Sequence, residues 1–229
     1  MVPAPDVRSP AGIDYERLYE YRFRDVAPES KQGVWDEIAA VVYDWLGRPA
    51  KVLDPAAGYG EFVNAIPAPE RWVVDMVDYA SARRDAGITV VIGDARTVEL
   101  PEAHFDGVFV SNLLEHLASQ DEIGTFLRRI RAAMAPGGRI AVLGPNFKYC
   151  AREYFDCADH TIPLTHVSVA EHLYAAGFTI ERVVPRFLPY SFNSRLPAWP
   201  ILTRAYLRFP PAWKVLGKQL LVIAENPAP

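Results

Sequence analysis

The chain has 229 residues, 50% of them hydrophobic and 23% charged, with a net charge of −4. Such values describe an ordinary globular chain with one sizeable core and give no electrostatic ground for nucleic-acid binding. Two cysteines, Cys150 and Cys157, make no disulfide framework, no run reaches the roughly 18 apolar residues of a membrane span, and the opening MVPAPDVRSP lacks the apolar centre of a secretory leader, so a cytoplasmic protein is expected.

Residues 1–30 read as an N-terminal arm: a loose stretch to Gly12, then the tyrosine-rich IDYERLYEYRF. A helix is predicted over 31–46, where Trp35, Ile38, Ala39, Val42, Trp45 and Leu46 recur at helical spacing; Gly47 and Pro49 end it. Five apolar runs follow: KVLDP from Lys51, WVVDM from Trp72, VVIGD from Val90, GVFVSN from Gly107 and RIAVLGP from Arg139. Continuous rather than alternating, they read as central parallel strands. Between the last two, Ile123, Phe126, Leu127, Ile130 and Met134 carry a helical period, with Ser119 and Glu122 as a capping box and Gly137 as the C-terminal glycine. Ser168 and Glu171 predict another capped start, for a helix ending at Gly177. Phe178–Val184 and Gln219–Glu225 complete a predicted set of seven strands, separated by about thirty residues rich in Pro, Trp, Tyr and Arg. The expected architecture is α/β: a doubly wound, mostly parallel seven-stranded sheet with helices on both faces, spanning 31–229, with an insertion at 186–218 before the last strand.

The chemistry concentrates in VLDPAAGYGEF, Val52–Phe62. An apolar run ends in Asp54, and a turn through Ala56, Gly58 and Gly60 leads into a helix. Glycines allow a sharp turn and a close approach of backbone to ligand. Asp75 ends the next strand, 21 positions after Asp54, placed to accept hydrogen bonds from a ribose diol. Asp94 and Ala95 end the third. An acid at the turn repels phosphate and welcomes a cation, which fits a sulfonium compound better than a dinucleotide.

Taken together, VLDPAAGYGEF, Asp75, Gly93-Asp94-Ala95, FDGVFVSNLLEHL (Phe105–Leu117) and MAPGGRIAVLGPN (Met134–Asn146) resemble the ordered motifs of class I S-adenosylmethionine-dependent methyltransferases. One position departs from the family pattern: Ala56 stands where the first glycine is usual. The resemblance implies S-adenosyl-L-methionine as cofactor, held by Asp54, Ala56, Gly58, Gly60, Asp75, Met76, Asp94, Ala95, Asn112 and Leu113. Tyr21 and Arg22 would cover it from the arm, Arg22 toward the methionine carboxylate; the plain alternative is an aromatic surface helix.

Acceptor-side residues are expected after the fifth strand. His160 or His166, with Asp159, is a candidate general base, or else these side chains only order the loop. Asn146 and Tyr149 are candidate acceptor contacts. Glu115-His116 is a possible metal pair but, without further ligands, reads as helix-start packing; Asp156, Asp159, His160 and His166 could also hold a metal, yet the cysteines between them make no zinc spacing, and no metal site is expected. The insertion contains Arg186, Arg195, Arg204, Arg208, Lys214 and Lys218 and no acid, a charge of +6 against −10 for the remainder. Trp199, Leu202, Ala205, Tyr206 and Phe209 are predicted on one helical side, Arg204 and Arg208 on another. This pattern suggests a small-molecule acceptor with an anionic part joined to an apolar or sugar-like part, or contact with an anionic membrane surface. Two other functions stand beside methyl transfer. A nicotinamide-dependent oxidoreductase would need a third glycine where Val63 stands, and a non-catalytic cofactor-binding partner would need no acceptor pocket.

Overall fold

A computed structural model describes residues 14–24, 28–76, 87–190 and 199–228. The expected arm at 1–12 and Arg195 lie outside the described residues. The described elements are α1 (Tyr15–Phe23), α2 (Pro28–Trp45), β1 (Lys51–Asp54), α3 (Glu61–Ala65), β2 (Glu70–Asp75), β3 (Ile88–Ile92), β4 (Phe105–Ser111), α4 (Gln120–Ala133), β5 (Met134–Pro145), α5 (Phe147–Cys150), α6 (His166–Ala175), β6 (Thr179–Val184), α7 (Pro200–Leu207), α8 (Pro210–Leu216) and β7 (Gln219–Glu225).

The strands form one seven-stranded sheet in the order β3-β2-β1-β4-β5-β7-β6. β1 to β5 pair in parallel, and β7 runs antiparallel between β5 and β6. Because successive strand side chains point to opposite faces, each central strand feeds two cores. Leu53, Val74, Val108, Val110, Ile140, Val142 and Val222 join a layer with α4 and α6. Val52, Val73, Phe109, Ala141, Leu143 and Leu221 join the other with α2, α3 and α7. Each fully buried aliphatic or phenylalanine side chain contributes about 1.5–3 kcal/mol, so the unbroken apolar runs are what two-sided burial requires.

Three local expectations are corrected. VVIGD is not central: β3 is an edge strand, and only Ile88 of its five residues is buried. Gly137 does not cap α4, which ends at Ala133; its φ of +78° lies inside β5, and its N–H donates to the Asn226 carbonyl at 2.7 Å. The start of α6 is capped one turn earlier than Ser168 and Glu171 implied. Thr165 Oγ1 accepts the Ser168 N–H, and Ser168 Oγ in turn accepts the Thr165 N–H at 2.9 Å.

Candidate cofactor and acceptor site

Strand order reverses between β1 and β4, since β1-β2-β3 runs one way across the sheet and β4-β5 the other. In open α/β sheets this switch point opens a crevice beyond the carboxyl ends of the strands. The loop after β1 occupies it, and its hydrogen bonds fasten it there. Asp54 Oδ1 accepts the Ala56 N–H at 3.3 Å. The Ala57 N–H reaches the Val74 carbonyl of β2 at 3.3 Å, and the Gly58 N–H donates to Asp75 Oδ2 at 2.8 Å. Gly60, at φ +75°, leads directly into α3. Gly58 sits at φ +52°, and a Cβ built on it meets nothing within 4 Å. The backbone conformation calls for glycine there, and the open space is what a ligand pressed against the loop would fill.

Asp54 is 3% exposed, and burial pushes its carboxyl up to about 8, helped by the nearby charges of Asp75 and Glu61. A buried acid of this kind holds a proton at neutral pH until a cation arrives. Asp75 and Asp94 stand at the ends of the next two strands. The Gly93 N–H donates to the Asp75 carbonyl, and buried Ala95 closes that side. Asp94 is already engaged by its neighbour: it accepts the Arg96 N–H at 2.8 Å and the Arg96 side chain at 2.6 and 2.9 Å. Burial opposes its charge, but these bonds hold it below the usual carboxylate range. At the end of β4, Asn112 adopts φ +48° and Leu113 packs against the core. Three acids, an open glycine and no lysine or arginine on the turn fit a ligand with a ribose and cationic groups but no phosphate.

Residues 53–142 match the family model described as a methyltransferase domain. Over that stretch the chain carries a methyltransferase domain, in line with the resemblance of its motifs to the class I S-adenosylmethionine-dependent enzymes. S-adenosylmethionine is the cofactor that this domain and its motifs imply. The fold is shared with solved structures. A SAM-dependent methyltransferase from Archaeoglobus fulgidus superposes with TM-score 0.65 at 20% identity, over 93% of this chain and 100% of that one. One from Mesorhizobium loti gives 0.58 at 18%, over 82% and 95%. The cyclase SpnF gives 0.61 at 17%, over 85% and 81%. The last is named for another reaction, so the likeness speaks for the fold alone. No curated protein matches the sequence.

Several expected contacts of this methyltransferase are used otherwise. Arg22 does not point to a free position for a methionine carboxylate: its guanidinium forms an ion pair with Asp159, which is 5% exposed. Tyr21 is 71% exposed and lies under Arg24 at 4.0 Å. Asn146 is fully buried. Its Nδ2 donates to the Pro185 carbonyl at 2.7 Å and to His166 Nδ1 at 2.9 Å, while Oδ1 caps α5; no polar atom is left for an acceptor. Tyr149 stacks with His166 and lies under Arg186 at 4.8 Å. His166 lines an apolar groove of about 370 Å³ between α6 and β6, outside the switch-point crevice. Arg204 binds Glu37 of α2 through two hydrogen bonds, at 2.6 and 2.9 Å.

The remaining histidine belongs to a cluster that the sequence reading had divided. Asp159 does not hydrogen-bond His160; instead Asp159 faces Arg22, and its main-chain oxygen pairs with His116 Nδ1 at 3.0 Å. Burial resists the charge of Asp159, yet His116 and Arg22 hold its carboxyl below the usual range. His160 packs edge-on against His116 and Tyr154 at 4.9 and 4.8 Å. Burial, aided by His116, lowers its imidazole to about 4. An imidazole that weak is neutral at physiological pH and a poor general base. Glu115 and His116, a possible metal pair that the sequence favours reading as packing, stand in this cluster beside His160. Their signal was a Glu-His pair directly after β4, with its partner His160 supplied by a loop more than forty residues later.

Proposed function

We propose that this methyltransferase transfers the methyl group of S-adenosylmethionine to an O, N or C nucleophile of a small, anionic acceptor. The reading rests above all on the Asp54–Gly60 loop, whose Gly58 backbone is tied to Asp75 and whose Cβ position is open. Asp75 is assigned to the ribose hydroxyls, Asp54 to the ammonium of the methionine part, and Asp94, Ala95 and Met76 to the adenine side. Asn112 and Leu113 line the methyl-transfer position. The bound cofactor supplies the electrophilic methyl group. The chain's own contribution is to hold a nucleophile in line with it and to exclude water.

The acceptor wall is assigned to α7 and α8. Pro200, at the start of α7, lies against Gly33 of α2, whose neighbour Gln32 donates to the Glu61 carbonyl at the start of α3. The start of α7 therefore lies one helix away from the cofactor loop. Arg186 is spent on the carbonyls of Val215 and Gly217, Lys218 on Glu153 and Arg204 on Glu37, so Arg208 and Lys214 are the anion contacts proposed. Of the predicted apolar side of α7, Tyr206 is half-buried and bonds the Phe187 carbonyl, whereas Trp199, Leu202, Ala205 and Phe209 are exposed; the buried residue of the helix is Leu207, which was not on that side. Exposed Ile201, Val215 and Leu216 extend that surface, which supports a second reading in which α7 and α8 rest on an anionic lipid surface. No helix among the described residues is long and apolar enough to cross a membrane.

Calorimetric titration with S-adenosylmethionine and with NAD tests the cofactor assignment; binding of NAD alone would overturn it. S-adenosylhomocysteine release over a panel of phosphorylated, carboxylated and neutral acceptors tests the rest. Turnover confined to neutral acceptors would remove the anionic assignment, and association with anionic but not neutral liposomes would favour the lipid-surface reading.

A further inference from the structure

We infer that Glu115, His116 and His160 bind one divalent metal ion of the zinc class beside the methyl-transfer position. The three side chains come from two segments, the turn after β4 and the loop after α5, and one ligand atom from each lies within 4.8 Å of the others. Glu115 Oε1 stands 4.0 Å from His116 Nε2. Metal bonds of about 2.0–2.2 Å would draw such atoms together by roughly an ångström, within reach of side-chain rotation.

Two buried atoms make the arrangement unusual. Glu115 is 2% exposed, and its Oε1 has no hydrogen-bond partner among the described residues; nor has His160 Nδ1. A buried polar atom left unpaired is destabilising, and here two of them share one cluster. A cation would satisfy both. His116 is already oriented for it. Nδ1 pairs with the Asp159 main-chain oxygen, which places the proton on Nδ1 and leaves the Nε2 lone pair for a metal. The Glu115 backbone is held in turn: its carbonyl accepts the Thr161 N–H at 2.8 Å and Thr161 Oγ1 at 3.0 Å. Arg22 is the one cation described at the cluster, and Asp159 pairs with it. Among the described residues, the acid at the cluster that no arginine or lysine pairs with is Glu115.

Two imidazoles and one carboxylate select zinc, cobalt or manganese over magnesium and calcium, which prefer oxygen-only sites. Three protein ligands leave a position open, as in sites where the metal does chemistry. An acceptor oxygen or nitrogen bound there would lose its proton more readily. That last step rests on the methyltransferase reading; the metal site itself does not.

The test uses the full chain, stripped with chelator and titrated with Zn²⁺ by competition with a chromophoric indicator, and with Co²⁺ by visible absorption. One equivalent should bind, with the intense d–d bands of low-coordinate Co²⁺ carrying nitrogen ligands. Glu115→Gln and His160→Gln should each weaken binding by about a hundredfold or more. Circular dichroism checks the fold of both variants. Should one not fold, the imidazole ¹⁵N shifts of His116 and His160 in the parent, with and without Zn²⁺, decide instead. Absence of binding by the parent, unchanged affinity in folded variants, or unmoved ¹⁵N shifts would overturn the inference. S-adenosylmethionine affinity is measured on the same samples. A parent that binds cofactor but no metal defeats only the metal site, and one that binds metal but no cofactor defeats only the functional reading.

Discussion

Asp54 combines two demands that conflict until a ligand is present. It must be acidic to meet a cation, and it is sealed at the end of β1, where burial favours the protonated form. In the unfolded chain its proton leaves near the ordinary value of 3.8, while in the folded protein it is kept up to about 8. Between these values the folded state binds more protons, so stability falls as pH rises from about 4 to about 8. Asp54→Asn should therefore melt progressively higher relative to the parent across that range, by on the order of a few kcal/mol at pH 8, with the gap closing toward pH 4. Melting curves at pH 5, 6.5 and 8 without cofactor check this; a pH-independent gap would show that Asp54 is ionised. Cofactor binding should also release close to one proton at pH 7, read from calorimetry in two buffers of different ionisation enthalpy. Asp75 acts on both partners, since it holds the Gly58 N–H and faces the ribose position. Asp75→Ala should weaken cofactor binding by roughly 2–4 kcal/mol. Gly58→Val should abolish it in a folded protein, because a β-branched side chain resists φ +52° and fills the open space. Normal affinity in Gly58→Val would remove the loop from the site.

Among the elements, α7 and α8 are the part whose role is least dictated by the sheet. α7 is held to α2 by the Arg204–Glu37 pair, and Arg204 keeps the Glu37 carboxyl below its ordinary range through that hydrogen bond. Arg204→Glu replaces the attraction with repulsion. We expect faster proteolytic cleavage within residues 199–217, and an acceptor KM raised by about tenfold or more with cofactor affinity intact. Loss of cofactor affinity instead would mean that α7 supports the loop through α2. Arg208→Glu leaves the pair in place and should raise KM without the change in proteolysis, separating anion binding from helix docking.

For the whole molecule, a ligand seated across the ends of four strands binds the folded state alone. At a hundred times its dissociation constant, S-adenosylmethionine should stabilise the protein by about 2.7 kcal/mol, which for a chain of this size raises Tm by roughly 5–10 °C. NAD at the same concentration should leave Tm unchanged. A shift with NAD and none with S-adenosylmethionine would reverse the assignment.

Sequence by itself determined the seven strands and the turn after β1, because the signals are local. Two-sided burial writes unbroken apolar runs, and a strand end, an acid and two glycines within seven residues announce a ligand turn. The edge position of β3, the antiparallel insertion of β7 and the cap at Thr165 required the sheet to be assembled. The same holds for the roles that changed most. Arg22 meets Asp159 across 137 residues, and Arg204 meets Glu37 across 167. Asn146 turns out to be a buried cap, because the Pro185 carbonyl and His166 converge on its amide. Glu115, His116 and His160 become a cluster for the same reason. A side chain's chemistry is set by what surrounds it, and here the surroundings come from distant segments that only the packed sheet brings within hydrogen-bonding range.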